Sequence, residues 1–305
     1  MIEEDSRRRL ARDYAGLKPA RGWPERNFRY LRHRLVPQIF RKRVGNSRDP
    51  QLEPPPEGKI RVTWIGHASF FVQFPDHSVL FDPNWAKWMG LVKRLQLPGI
   101  LLEDMPEVDL VLVSHAHFDH LHKKSLKGID SRDGIIVPRG SSGLVKGLGF
   151  ERVVEMKIWE EAQHGGLRVV HTPSHHWGAR FGHDTHRDYG GFLVASGKRT
   201  VFHCGDSAYF GGFKEIGARE KIDIALLPIG AYDPPSGRDV HMNPEEALTA
   251  FEDLGAEVMV PMHYGTFTLS NEPPDESLER LRAEAACRGL SERVVVPEPG
   301  LGVEL

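Results

Sequence analysis

The sequence predicts a layered α/β domain behind a basic N-terminal arm. Three observations carry that expectation. Short apolar runs with strand character recur from residue 59 to about residue 265, each closed by a turn or a polar loop. Helical patterns fill several of the intervals, and strands interleaved with helices build layered folds. Residues able to bind a metal, His115, His171, Asp206 and His263, fall at or just past the C-terminal ends of such runs. That is where an α/β scaffold delivers a site.

The 305 residues suffice for one large domain or two ordinary ones, and 40% hydrophobic with 27% charged residues allows a sizeable core. A net charge of −2 gives no overall attraction to nucleic acid. Cys204 and Cys287 form neither a disulfide framework nor a CxxC zinc motif, which fits a reducing compartment. No stretch approaches the roughly 18–20 apolar residues of a membrane span, and the start MIEEDSRRR does not read as a signal peptide. A cytoplasmic enzyme is the expectation.

Taken in chain order, the arm comes first. Between Lys18 and Arg48 ten Lys or Arg residues stand against one acid, Glu25, interleaved with Trp23, Phe28, Tyr30, Leu31, Leu35, Ile39 and Phe40. QLEPPPEG (51–58) reads as a linker, because a proline run continues neither helix nor sheet. The expected division is therefore arm and linker, 1–58, then the main domain, 59–305. The arm has three readings: a segment packed on the domain, a peripheral contact with anionic phospholipid headgroups, or a nucleic-acid contact. The near-neutral net charge weighs against the last.

KIRVTWIGHASFFVQF (59–74) has a β-rich, partly alternating pattern, and SVLFDP after the PDH turn completes an expected hairpin. VDLVLVSH is a continuous apolar run of the kind found in strands covered on both faces. GIIVPRG, RVVEMK, GLRVVHT, YGGFLVAS, TVFHCGD, DIALLPIG and EVMVPMHYG follow as further strands. Among helices, NPEEALTAFEDLG (243–255) is the clearest. Asn243 can cap it, Pro244 suits its first turn, two Glu residues favour its N-terminus, and Gly255 ends it. DESLERLRAEAACRGL (275–290) is a second.

The chemistry concentrates in SHAHFDHLH (114–122), where four histidines and an aspartate occupy nine positions. In an extended turn after the strand, His115 and His117 can face one metal, while Asp119 and His120 reach a second beside it. Imidazole and carboxylate donors suit zinc, with iron or manganese as alternatives. Four ligands do not complete two sites, and TPSHHW (172–177), HCGDS (203–207) and VPMHYGTF (260–267) offer the remainder.

SHAHFDH carries the HxHxDH signature of the metallo-β-lactamase-fold hydrolases. TPSHHW, CGDSAYF, LLPIGAYDP, HMNPEEA and MHYGTF, in that order, resemble the phospholipase D-type branch that hydrolyses N-acyl-phosphatidylethanolamine. The resemblance runs from about Val62 to Glu272. It implies a four-layer αββα sandwich with the site at one edge of two sheets. It further implies one metal held by His115, His117 and His176, another by Asp119, His120 and His263, and Asp206 bridging them. His176 rather than His175 takes the ligand role because it directly precedes the tryptophan. Asp119 and Asp206 would orient the nucleophile, and His241 matches a position near the substrate phosphate. Two divalent metals sharing a water lower its pKa toward neutrality and neutralise charge building on phosphoryl oxygens.

Plainer readings stand beside each assignment. His263 alone would be a satisfied core histidine, Asp206 a turn aspartate after glycine, and His241 a residue that merely opens a helix. His67, His122 and His203 read as structural or supporting residues, and Tyr189 with the loop 183–191 as either pocket wall or bland surface. The function expected is phosphodiester hydrolysis in a phospholipid. Lactone or ester hydrolysis at the same site, and metal-dependent nucleic-acid processing, are the alternatives.

Overall fold

Alternation within the strands decides the layering. The computed structural model describes residues 23–181 and 184–305, with side chains from residue 27 onward. Its first sheet contains β1 (Arg61–Gly66), β2 (Ser69–Gln73), β3 (Ser78–Phe81), β6 (Leu110–Leu112), β7 (Ile135–Pro138), β8 (Val153–Met156) and β15 (Gly302–Glu304), ordered β15-β1-β2-β3-β6-β7-β8. Successive side chains point to opposite faces. Val62, Trp64, Phe70, Val72, Val79, Phe81, Leu110 and Leu112 accordingly enter one core, and Ile65, Phe71, Leu80, Val111 and Val113 enter another. The second core is closed from outside by Leu126 of α3 (Lys123–Leu126) and Val145 of α4 (Ser142–Val145).

The second sheet, ordered β14-β13-β12-β11-β10-β9, comprises β9 (Glu161–His164), β10 (Leu167–Thr172), β11 (Gly191–Ser196), β12 (Arg199–His203), β13 (Ile224–Pro228) and β14 (Val258–Met262). Val169, Phe192, Val194 and Phe202 meet the first sheet in the shared core. The same core takes Phe213 and Ile216 from α5 (Gly212–Arg219), Leu248 and Phe251 from α6 (Pro244–Leu254), and Leu281 from α7 (Glu276–Cys287). The result is the expected order, helices, sheet, sheet, helices. Helix α6 begins as its sequence dictates, with a reciprocal capping box between Asn243 and Glu246 and Gly255 at φ 62° closing it.

One element differs from expectation. The stretch 59–74 is itself a hairpin, β1 pairing antiparallel with β2 and Trp64 opposite Phe70. The turn uses Gly66 at φ 130° and His67 at φ 56°. Apolar side chains occupy both sides of the turn, so it leaves no mark on the pattern. A small hairpin, β4 (Trp88–Met89) and β5 (Val92–Lys93), follows β3.

Parallel pairing places the site. β3, β6 and β7 run parallel in one sheet, and β12, β13 and β14 in the other. Their C-terminal ends carry Asp82, Ser114, His115, Asp206 and His263 to one edge. The sheets touch there: Gly190 N–H donates to Ser114 O (3.2 Å). Gly205 (φ 62°) passes so close that a Cβ would lie 2.8 Å from both Gly190 O and Ser114 Cβ.

Residues 1–22 of the arm, with Lys18 and Arg21, lie outside the described residues. From residue 23 the arm forms α1 (Trp23–Tyr30), a π-helical turn (Leu31–Leu35) and α2 (Val36–Phe40). It is laid on the domain. Leu35 and Gln38 are buried, and Tyr30 Oη donates to Thr268 O (2.6 Å). Val44 N–H donates to Leu95 O (2.8 Å) and Arg48 N–H to Gly99 O (2.7 Å). Phe28, Leu31, Val36, Ile39 and Phe40 remain exposed. Among the described residues no helix is long and apolar enough to cross a membrane.

Candidate metal centre

The loop 114–121 is pinned by a residue from the neighbouring strand. Asp82, just past β3, accepts from Ser114 N–H and Oγ–H (2.6 Å each) and from His120 Nδ1 (2.6 Å). One carboxylate thus holds both ends of the histidine-rich loop. Arg180 holds its middle, donating to the carbonyls of Ala116 (2.8 Å) and Leu121 (2.9 Å) while lying over the Phe118 ring.

Two groups of donors result. In the first, His115 Nε2 and His117 Nδ1 lie 2.9 Å apart, and His117 Nδ1 and His176 Nε2 3.2 Å apart. Asp206 Oδ2 is 3.8 Å from both His115 Nε2 and His176 Nε2. In the second, Asp119 Oδ2 lies 3.1 Å from His67 Nε2, 3.5 Å from His263 Nε2 and 3.7 Å from His120 Nε2. Asp206 Oδ2 is 3.1 Å from both His120 Nε2 and His263 Nε2, so it reaches into both groups. His115, His117, His176 and Asp206 form one set with donor atoms within 4.8 Å of one another, and His67, Asp119, His120 and His263 another.

The outward hydrogen bonds reveal whether this set fits a metal. Ser114 Oγ–H goes to Asp82, so the Ser114 oxygen accepts from His115 Nδ1–H (3.0 Å). His176 Nδ1–H donates to Val240 O (3.0 Å) and His120 Nδ1–H to Asp82. Each bond fixes a tautomer whose other nitrogen turns a lone pair inward. Converging lone pairs beside carboxylates suit a cation. Asp206 Oδ1 and His241 Nδ1 are buried and lack hydrogen-bond partners among the described residues. The donor set, histidines and two aspartates in two groups, fits divalent metals of the zinc, iron or manganese type.

Electrostatics agree. Burial holds the pKa of His115 and His176 well below the ordinary value and that of His117 and His241 at about 4. His120 and His263 are also pushed down by burial, yet Asp206 first and Asp119 next outweigh it. His120 ends well above the ordinary value and His263 at about 9. Burial opposes ionisation of Asp206 and Asp119, but the histidines beside them keep both well below the usual carboxylate range. The carboxylates thus favour cationic charge at the centre.

Comparison with known proteins decides the family. Residues 77–264 match the family described as the beta-lactamase superfamily domain. A UPF0173 metal-dependent hydrolase of Methanopyrus kandleri is 33% identical over 251 residues, covering 80% of this chain and all of that protein. The chain belongs to the metallo-β-lactamase-fold hydrolases. The mitochondrial N-acyl-phosphatidylethanolamine-hydrolyzing phospholipase D of Saccharomyces cerevisiae is 33% identical over 258 residues, 78% of this chain and 54% of the yeast protein. Igni18, a metallo hydrolase of Ignicoccus hospitalis, superposes with TM-score 0.63 at 26% identity, covering 81% of this chain and 98% of that one.

As a metal-dependent hydrolase of this superfamily, the chain brings His115, His117, Asp119, His120, His176, Asp206 and His263 into one cluster. His241, at the entrance to α6, joins it, with its ring 5.0 Å from His176 and 5.2 Å from His263. His175 turns elsewhere, its ring 6.1 Å from Phe210. His171 stays in the sheet, stacked on Phe192. His203 stacks on Phe81 and bonds Ala68 O, and His122 caps α3. Of the loop 183–191, His183 lies outside the described residues; Asp188 pairs with Arg139, just past β7. Sequence reasoning missed the role of Asp82 and the place of His67 inside the cluster. The aspartate closing SVLFDP and the glycine before His67 were the available signals.

Proposed function

We propose that the chain is a binuclear metal-dependent phosphodiesterase acting on a phospholipid. His115, His117 and His176 would hold one metal, Asp119, His120 and His263 the other, and Asp206 both. The observation that carries this reading is Asp206 Oδ2, 3.1 Å from one group and 3.8 Å from the other, the separation a shared carboxylate needs. The metals supply Lewis-acid neutralisation of phosphoryl charge and an acidified water. The protein orients. Asp119 and Asp206 direct the nucleophile, and the buried imidazole of His241 offers a hydrogen-bonding nitrogen to a phosphoryl oxygen. Arg180, engaged with two carbonyls, is scaffold rather than phosphate ligand.

Two further features support a lipid. Phe118, Trp177 and Phe181 are exposed beside the donors, with Phe118 packed on Phe181 and Trp177 on His117 (ring centroids 5.6 and 4.4 Å). They suit acyl chains or the membrane from which these come. The yeast relative is named for cleaving such a lipid. The exposed apolar row of the arm, flanked by Arg29, Arg32, Arg34, Arg41 and Lys42, would meet an anionic membrane surface.

Purified protein should carry close to two equivalents of zinc, iron or manganese. It should release phosphatidic acid from N-acyl-phosphatidylethanolamine in mixed micelles faster than it opens lactones or cleaves RNA. One equivalent with full activity would remove the binuclear mechanism. A preference for lactone would move the substrate to another ester class.

A further inference from the structure

His67 is the member of the cluster that no part of the proposed mechanism uses. Resting on the binuclear reading above, we propose that His67 is a positioning residue that holds Asp119 toward the second metal by donating Nε2–H to its carboxylate. Asp119 needs such support. Its side chain is 15% exposed, whereas those of His120 and His263 are fully buried, so without a partner it can turn to solvent. His67 Nε2 lies 3.1 Å from Asp119 Oδ2.

A role as a ligand is less consistent with the geometry. Asp119, His120, His263 and the shared Asp206 already provide four donors, the number that closes a zinc shell. His67 Nε2 approaches one of them as an acceptor, Asp119, and its ring stands against His263 and the edge of Phe267 (4.0 and 5.2 Å). His67 Nδ1 is buried without a hydrogen-bond partner among the described residues. With the proton on Nε2, Nδ1 is a bare acceptor; with Nε2 bound to a metal, Nδ1–H would be a buried donor lacking an acceptor, the costlier arrangement.

The surroundings treat His67 as a fixed point. Its left-handed φ of 56° is strained for a side chain other than glycine's. Its N–H donates to Thr266 Oγ1 (2.7 Å), and its carbonyl accepts from Trp64 Nε1 (2.9 Å) and His263 N–H (3.1 Å). Before it stands Gly66, where a Cβ would overlap the guanidinium of Arg94. Arg94 is 1% exposed, and it bonds the carbonyls of Ile65 (3.1 Å), Asn84 (2.9 Å) and Gln96 (2.7 Å). Asn84 Nδ2 in turn donates to Asp119 O (2.8 Å). Arg94 therefore ties together the two grips on Asp119, His67 on the carboxylate and Asn84 on the backbone.

The test uses the metal-loaded full chain and two variants, His67→Ala and His67→Gln. Both carry the same backbone strain, so their difference isolates the donor. Metal per chain is measured along a dipicolinate titration, and the cobalt-substituted proteins are compared by visible absorption. His67→Ala should lose one metal at about ten- to a hundredfold lower chelator than the parent, with a changed cobalt spectrum. His67→Gln, which keeps an N–H at a similar reach but is a poor ligand, should stay within about threefold of the parent, on the scale of a supporting bond kept. Equal retention by His67→Ala and the parent overturns the proposal. So does loss by His67→Gln matching that of His67→Ala, which would make His67 a ligand. A parent chain that itself binds fewer than two metals overturns the binuclear reading, and this is read before any substitution.

Discussion

The two donor groups grow from the same loop yet are supported in opposite ways. Each has one partly exposed member, His117 in the first and Asp119 in the second. His117 leans on Trp177, which is 38% exposed. Asp119 leans on His67, which is buried and wired to Thr266, Trp64 and His263. The second group is thus braced from the core, and the first borders a side chain that solvent or substrate can move. A two-metal site can therefore have one fixed half and one half coupled to what binds beside it.

The largest break in that comparison comes from the residue both halves share. Asp206→Asn keeps the shape and removes the charge, so activity should fall at least about a hundredfold, given the several kcal/mol that metal-centred charge stabilisation supplies. Metal analysis should show both equivalents weakened. Parent-like turnover would mean that Asp206 does not bridge.

Separating the halves is the next test. His176→Ala and His263→Ala should each leave about one metal per chain, with the remaining metal held more tightly in His176→Ala, where the braced group is intact. If either variant lost both metals together, the halves would be one cooperative unit.

Stripping the metals with a chelator should lower the melting temperature. A site at a hundred times its Kd contributes about 2.7 kcal/mol, equivalent to roughly 4 °C for a chain of this size. Differential scanning calorimetry should resolve two increments if the halves empty in turn, and one if they do not.

Trp177→Ala should leave the metal count unchanged and raise the KM for a micellar lipid several-fold, about the 1 kcal/mol or more of a lost aromatic contact. A short soluble phosphodiester should hardly notice. Should both substrates suffer alike, Trp177 supports His117 rather than the lipid.

The smallest effect on the centre itself comes from the arm, furthest from the metals. Each near-surface cation attracts an anionic membrane by about 1 kcal/mol, and salt screens that attraction. Arg32→Gln with Lys42→Gln should weaken sedimentation with anionic vesicles by about ten- to thirtyfold at low salt and leave the melting temperature in place. Unchanged vesicle binding would make the arm purely a docked segment.

What the sequence disclosed follows from how far each role reaches along the chain. His115, His117, Asp119 and His120 were legible because their chemistry is crowded into one loop. Helix α6 was legible because a capping box closes within four residues. Asp206 and His263 needed the resemblance, since a lone aspartate or histidine at a strand end has a bland reading too. Asp82 escaped, and His67 was read only as a structural or supporting residue, without its partner. Their partners are His120 and Asp119, 38 and 52 residues away, and no local spacing encodes such a pair. Arg94 was hidden for the same reason: a buried guanidinium satisfied by three backbone carbonyls looks, in KRLQ, like any surface cation.

Gly205 has a consequence for how this enzyme can vary. The two sheets approach each other next to Asp206 to within a distance that one missing methyl group permits. That gap works as a spacer gauge, setting how far the loop from one sheet stands from the aspartate of the other. Loops around the rim can be lengthened or exchanged without touching it. A single side chain at residue 205 would instead wedge the sheets apart where both donor groups meet, and every distance across the centre would change at once.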